Sequence, residues 1–329
     1  VKNTLVALLG LLLLLGSATL PAAAQNATPE SPNSLKTGQV AAEPATFHSE
    51  NGNEVATATL TGMERNWQAF DSGSEPQAGM EYVALTIEVE NVAARGTLNV
   101  SAYHFTIQTQ MGFVYTNAWI YSETVTPALL SEDITLEGGE TTEFTMVYAV
   151  YVNEPLAQLL WQPESPTHVQ LVLADLEAQV DGMNPLEPAI GDAVTFYSVS
   201  GDAMAVVTVT GAERGWSEFD EGYGPETGME FVAVTVDVEN VAGRGNVSLS
   251  PYEFGLQTEF GFTYMPVWVS AATATPTVLL EEIRLAQEET TSFTLVFAVF
   301  EGEGLGNLDW IPYTSAQPAR LTLVVLTGI

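Results

Sequence analysis

"GMEYVALTIEVENVAARG" (residues 79–96) and "GMEFVAVTVDVENVAGRG" (residues 228–245) are nearly the same phrase, written twice in one chain. In the first, Val83, Leu85, Ile87 and Val89 alternate with Ala84, Thr86, Glu88 and Glu90; in the second, Val232, Val234, Val236 and Val238 alternate with Ala233, Thr235, Asp237 and Glu239. An apolar residue at every second position marks a β-strand with one face buried. The exchanges between the copies respect that pattern: Leu85 becomes Val234, Ile87 becomes Val236, and Glu88 becomes Asp237. The phrase then runs into Asn and Gly, residues that suit a loop because they tolerate positive φ or bond to their own backbone.

The repetition extends well beyond this strand. A shift of 149 residues lays Gly62–Pro163 on Gly211–Pro312 without a gap, with about half the positions identical. All six tryptophans fall in matched pairs, Trp67 with Trp216, Trp119 with Trp268 and Trp161 with Trp310. A solenoid unit is only about 20–50 residues long, so this repeat is a whole domain. Further alternating runs occur at Tyr103, Phe105 and Ile107, at "EFTMVYAVY", at "SFTLVFAVF", and at "VQLVLADL" and "ARLTLVVL". About seven short strands per copy, separated by turn residues and lacking a helical period, predict antiparallel β-sandwiches of immunoglobulin-like size. The fold class expected is therefore all-β, with two tandem immunoglobulin-like antiparallel β-sandwich domains after a signal peptide. The expected organisation is a signal peptide over 1–24, a flexible linker over 25–46, repeat 1 over 47–178, a linker over 179–190 and repeat 2 over 191–329.

Composition narrows the function classes. The chain of 329 residues carries 41 Asp and Glu against 8 Lys and Arg, a formal net charge of -33. That field repels nucleic acid and anionic lipid and favours cations. The only lysines, Lys2 and Lys36, precede the first repeat, so the folded part has none for Schiff-base chemistry or for cradling phosphate. The absence of cysteine removes disulfides, thiolate metal sites and a cysteine nucleophile. At the N-terminus, Lys2, the apolar run Leu5–Leu15 and Ala22–Ala24 read as a cleaved export signal; an uncleaved anchor is the other reading. The opening Val, where Met is expected, is consistent with a bacterial alternative start codon. The expected location is secreted, extracellular or at a bacterial cell surface, with no membrane insertion of the mature chain.

The chain also resembles a family of bacterial secreted domain-of-unknown-function proteins that share the telokin-like, immunoglobulin-like fold of the mycobacterial immunoprotective extracellular antigen. The resemblance rests on Gly79, Tyr82, Val83 and Asn91, then Ser101, Phe105, Ile107, Gly112 and Tyr115, then Leu136, Gly138 and Phe144. In the second copy it rests on Gly228, Phe231, Val232 and Asn240, then Ser250, Phe254, Leu256, Gly261 and Tyr264. Gln287 stands where the second copy should repeat Gly138, and the lipid-anchoring Cys of many relatives is missing. The resemblance implies an extracellular module and transfers no catalytic residue.

Candidate sites follow from the repeat. His104 aligns with Glu253, and the second copy has no histidine, so a shared activity does not run through histidine. Paired acids such as Glu132–Asp133 and Glu281–Glu282 read as solvated faces, with a loosely bound Ca²⁺ as the alternative. Arg65/Arg214 and Arg95/Arg244 are scarce cations expected to lock loops through Glu64, Asp71 or Glu90 and their counterparts, or to meet an anionic ligand. "ERNWQAFD" and "ERGWSEFD" place Trp67, Phe70, Trp216 and Phe219 in loops. There the rings either plug the end of the sandwich or present a ligand platform. Trp161 and Trp310 read as core. The candidate ligand-binding set is thus Trp67, Phe70, Arg95, Trp216, Phe219 and Arg244, with no catalytic residue, no metal ligand and no required cofactor. The expected function is a non-enzymatic binding or cell-surface interaction protein with an extracellular protein or glycan as partner. The alternative is a carbohydrate-binding accessory protein using the loop aromatics.

Overall fold

A computed structural model describes residues 43–313 and 317–329. The expected signal peptide and all but the last few residues of the first linker lie outside the described residues. The fold is all-β: two tandem antiparallel β-sandwiches, with no α-helix among the described residues.

The first repeat contains β1 (Ala45–His48), β2 (Glu54–Arg65), β3 (Met80–Asn91), β4 (Thr97–Val100), β5 (Phe105–Thr109), β6 (Val114–Tyr115), β7 (Ile134–Glu137), β8 (Thr141–Tyr151), β9 (Leu156–Trp161) and β10 (Leu171–Asp175). The second repeats the order with β11 (Ala193–Tyr197), β12 (Ala203–Arg214), β13 (Met229–Asn240), β14 (Val247–Leu249), β15 (Phe254–Thr258), β16 (Thr263–Tyr264), β17 (Ile283–Leu285), β18 (Thr290–Phe300), β19 (Leu305–Trp310) and β20 (Leu321–Val325). Each sandwich sets one sheet, β1-β2-β3-β8 or β11-β12-β13-β18, against a second, β10-β9-β5-β6 or β16-β15-β19-β20. A two-stranded ribbon, β4-β7 or β14-β17, completes each.

The opening phrase is the centre of this arrangement. β3 and β13 each lie between two neighbours, and their alternating aliphatics Val83, Leu85, Ile87, Val232, Val234 and Val236 are fully buried. Across the sandwich they meet Phe105 and Trp161, stacked with ring centroids 6.2 Å apart, or Phe254 and Trp310 at 6.1 Å. Gly79 and Gly228 open the phrase because both sit at φ 85°, where a side chain would strain the backbone. Asn91 and Asn240 close it. Each buried carboxamide donates to the carbonyl of Leu136 or Leu285 at 2.9 Å and accepts from Ala93 or Ala242 at 3.1 or 3.0 Å.

Four expectations change. The first half of β3 is buried on both faces, since Tyr82 and Ala84 are covered as well. Tyr103 is not in a strand: Ala102–His104 and Pro251–Glu253 form single 3₁₀ turns, and the strands start at Phe105 and Phe254. The turns are set by capping pairs. The Ser101 N–H donates to His104 Nδ1 at 3.3 Å, and the Ser250 N–H to Glu253 Oε2 at 3.2 Å, which gives the His104/Glu253 exchange a structural meaning. Finally, there are ten strands per repeat, because the β4-β7 ribbon and the short edge strand β1, with their counterparts in the second repeat, were not expected. Ala45 and Thr46, read as linker, begin β1.

The repeats meet through reciprocal contacts within one compact unit. Phe113, beside β6, bridges Ala319, while Phe262, beside β16, bridges Val169. Gln108 Nε2 donates to the Arg320 carbonyl at 2.9 Å, and Gln257 Nε2 to the Gln170 carbonyl at 2.8 Å. The Arg320 N–H bonds the Gly112 carbonyl and the Gln170 N–H bonds the Gly261 carbonyl. Both glycines are needed for the approach: a Cβ would lie 2.6 Å from Leu321 at Gly112 and 2.5 Å from the Gln170 carbonyl at Gly261. Such mutual exchange is the pattern of a two-fold dimer, here within one chain. The segment between the repeats is tied in too, with Gln110 bonding Ala178 and Val180 and the buried Asn184 exchanging two hydrogen bonds with Thr195.

Candidate binding site

The expected site residues separate into three fates. Trp67 and Trp216 are only 4% and 5% exposed. Each lies against the far face of the first sheet, Trp67 with Tyr82, Ala84 and Val147, Trp216 with Phe231, Ala233 and Val296. Phe70 and Phe219 pack edge-on against Tyr82 and Phe231, with centroids 5.4 and 5.5 Å apart. These rings cover apolar surface that the strand alternation leaves on the outer face, so Trp67 and Trp216 offer a ligand no platform. Arg95 and Arg244 are exposed in the loops held by Asn91 and Asn240 and pair with no carboxylate among the described residues. They stay separate from the tryptophans as a site.

The other arginine pair does lock structure, but through carboxylates other than those expected. Arg65 pairs with Glu81 and with Glu177 at 2.7 Å. Arg214 pairs with Glu230 and donates to the Glu303 carbonyl at 2.7 Å. The hydrogen-bonded Arg214 guanidinium holds the Glu230 carboxyl below its usual range, against the effect of partial burial. Beside each pair a tyrosine donates to a glutamate, Tyr115 to Glu154 at 2.7 Å and Tyr264 to Glu303 at 2.9 Å. Burial, then the bond to the glutamate and its charge, raises both phenol pKa values. Among the described residues no group of three or more His, Cys, Asp or Glu side chains is placed to hold a metal ion.

The exposed tryptophans are the third matched pair. Trp119 and Trp268 are 58% and 63% exposed. Their loops are extended and anchored on both sides of the indole. The Ala118 N–H bonds the Val147 carbonyl at 2.7 Å and the Asp71 N–H bonds the Tyr121 carbonyl at 2.9 Å; Val267 with Val296 and Asp220 with Ser270 repeat this at 2.8 Å each. Ala118 and Ile120, like Val267 and Val269, join the cluster around the buried tryptophan. Period-two alternation then turns the indole between them outward. A tyrosine lies beside each: Tyr103 is 5.7 Å from Trp119 and Tyr223 is 5.5 Å from Trp268, centroid to centroid. The available signal was this alternation, Ala-Trp-Ile and Val-Trp-Val, at one place in both copies. Anchored backbone under exposed aromatic side chains gives large contact area with little conformational freedom to lose on binding.

Comparison with protein-family models and with curated proteins finds no match. Solved structures similar to the chain include a lipoprotein candidate, ycdA, from Bacillus subtilis, at 14% identity and a TM-score of 0.32, covering 43% of this chain and 39% of that one. They also include the secreted protein MPT63 of Mycobacterium tuberculosis, at 15% identity and a TM-score of 0.31, covering 41% of this chain and 94% of that one. At these scores the likeness adds nothing to what the strand topology itself shows. No helix among the described residues is long and apolar enough to cross a membrane.

Proposed function

We propose that this chain is an exported, non-enzymatic binding protein of the secreted immunoglobulin-like type suggested by its sequence, with an extracellular protein or glycan as ligand. The observation that carries the proposal is the duplicated exposed indole, Trp119 with Tyr103 and Trp268 with Tyr223, on loops fixed by backbone hydrogen bonds. Trp and Tyr are the residues that most often dominate binding energy at such surfaces. The net charge of -33 argues against nucleic acid and anionic lipid as partners. The His104/Glu253 exchange maintains a turn in both copies, which supports a structural role for that position. The carbohydrate reading moves from Trp67 and Trp216 to Trp119 and Trp268, where an indole face is free to stack on a sugar ring.

A binding screen of the mature chain against glycans and surface proteins tests this, with the Trp119→Ala/Trp268→Ala double variant alongside. Binding lost in the variant at unchanged melting temperature supports the proposal. A ligand that binds the variant as well as the parent removes these rings from the site.

A further inference from the structure

A pocket of about 640 Å³ opens at the junction between the repeats. It is bounded by the β15–β16 hairpin, the end of β18, and the β1–β2 turn of the first repeat. Its volume lies within the roughly 300–1,000 Å³ typical of small-ligand sites. The rings of Phe260, Phe262, Tyr264 and Phe300 line it, and Phe260 and Phe300 are 45% and 60% exposed. Grouped phenyl rings left in contact with water are a feature that needs a partner.

The charge of the lining is one-sided. Glu50 and Glu303 contribute carboxylates, and no lysine or arginine lines the pocket. Tyr264 donates to Glu303 Oε2 at 2.9 Å, which orients the carboxylate and leaves Oε1 with no protein donor among the described residues. The nearby guanidinium, Arg214, bonds only the main-chain oxygen of Glu303 and is itself paired with Glu230. Against Phe260 lies the ring of His48, 5.0 Å away centroid to centroid.

We propose that this pocket binds an organic cation, a substituted ammonium group on a small apolar body. Aromatic faces attract such cations through the ring quadrupole, most strongly where water is partly excluded. Glu303 supplies the counter-charge, and the surrounding field of a chain at -33 raises the local cation concentration. A hard metal ion does not fit, because it wants several converging oxygens and the walls are phenyl rings. Only the second repeat supplies the tyrosine–glutamate pair of the site, while the first contributes the β1–β2 turn as a wall. In the first, the corresponding Tyr115 and Glu154 are each only 7% exposed, so the same pair is closed to a ligand.

The test is titration of the full chain with choline and with its uncharged isostere 3,3-dimethylbutan-1-ol, followed by calorimetry. Saturable binding of one choline per chain, at least about fivefold tighter than the alcohol, is expected. Glu303→Gln keeps an acceptor for Tyr264 and should weaken choline about tenfold, while Phe300→Ala, at an exposed strand end, should do the same without lowering the melting temperature. Equal binding of the alcohol would make this a plain apolar pocket. Absence of saturable binding, or choline binding that survives both substitutions, also overturns the proposal.

Discussion

In the first repeat Leu160 of β9 pairs with Val172 of β10; in the second, Asp309 of β19 pairs with Thr322 of β20 and holds the buried Arg320 at 2.6 Å. The residue that corresponds to Arg320 is Gln170, and both contribute their main chain to the junction between repeats. Similarly, the fully buried Tyr148 of β8 corresponds to Phe297 of β18. The duplicated scaffold thus keeps the aliphatic face of β3 and β13 and its backbone-bonding Asn, Gln and Gly, and varies other buried groups, with Asp309 for Leu160, Arg320 for Gln170 and Phe297 for Tyr148. The comparison teaches which polar groups the fold requires and which it merely tolerates.

The largest effect is expected at Arg320. Arg320→Gln leaves Asp309 buried with only Thr322 as partner, and should cost about 3–5 kcal/mol in urea unfolding. Adding Asp309→Leu, which gives both positions the residues of the first repeat, Gln170 and Leu160, should recover most of the loss. A double variant as unstable as the single one would show that the second repeat cannot accept the first repeat's solution.

Next come the two asparagines. Asn91→Ala and Asn240→Ala each strip the same hydrogen bonds from buried partners and should each cost about 1–3 kcal/mol. Matching values are the prediction, and a large difference would break the equivalence of the two loops. Tyr148→Phe runs the other way. The buried hydroxyl has no hydrogen-bond partner, so giving β8 the residue of β18 should stabilise the chain by about 1–2 kcal/mol. A loss of stability on that change would mean that the hydroxyl has a partner in solution.

The smallest effect concerns pH. Burial lowers the His104 pKa, and Nδ1 is an acceptor for the Ser101 N–H, so folding favours the neutral ring. A group depressed on folding contributes fully above its unfolded pKa, near 6.5 for histidine, and loses that contribution as pH falls from there toward the folded value. His104→Gln keeps a capping acceptor and does not titrate. The stability difference between the parent and this variant should therefore shift against the parent on going from pH 7.5 to pH 5.5, by less than about 1 kcal/mol. A difference that stays flat over that window would remove His104 as a source of pH dependence.

The strand core was legible because a buried face imposes period two, and β3 and β13 carry that period without a break. What stayed hidden depended on surfaces meeting. Trp67 and Trp216 stand among Gly and Glu, which reads as open loop; their burial follows only from the outward-facing Tyr82 and Phe231, which need cover. Gln108, Gln257, Gly112 and Gly261 read as local turn residues because they recur identically in both copies. Their role appears only when the partner repeat is in place. The indoles of Trp119 and Trp268 served as markers of duplication, although the small aliphatic residues on either side of each already signalled which way it points.

The bridges beside β6 and β16 have one more consequence. Following neighbours from β10 through β9, β5 and β6, across to β20, β19, β15 and β16, and back to β10 returns to the starting strand. The two second sheets form a closed circuit with no terminal strand, and the chain between the repeats is only one of several ties. A bivalent ligand therefore does not meet two beads on a string, whose effective concentration is set by linker length. On the proposed reading it would meet two aromatic faces whose separation is written into the circuit, and would engage both only if its own spacing matched.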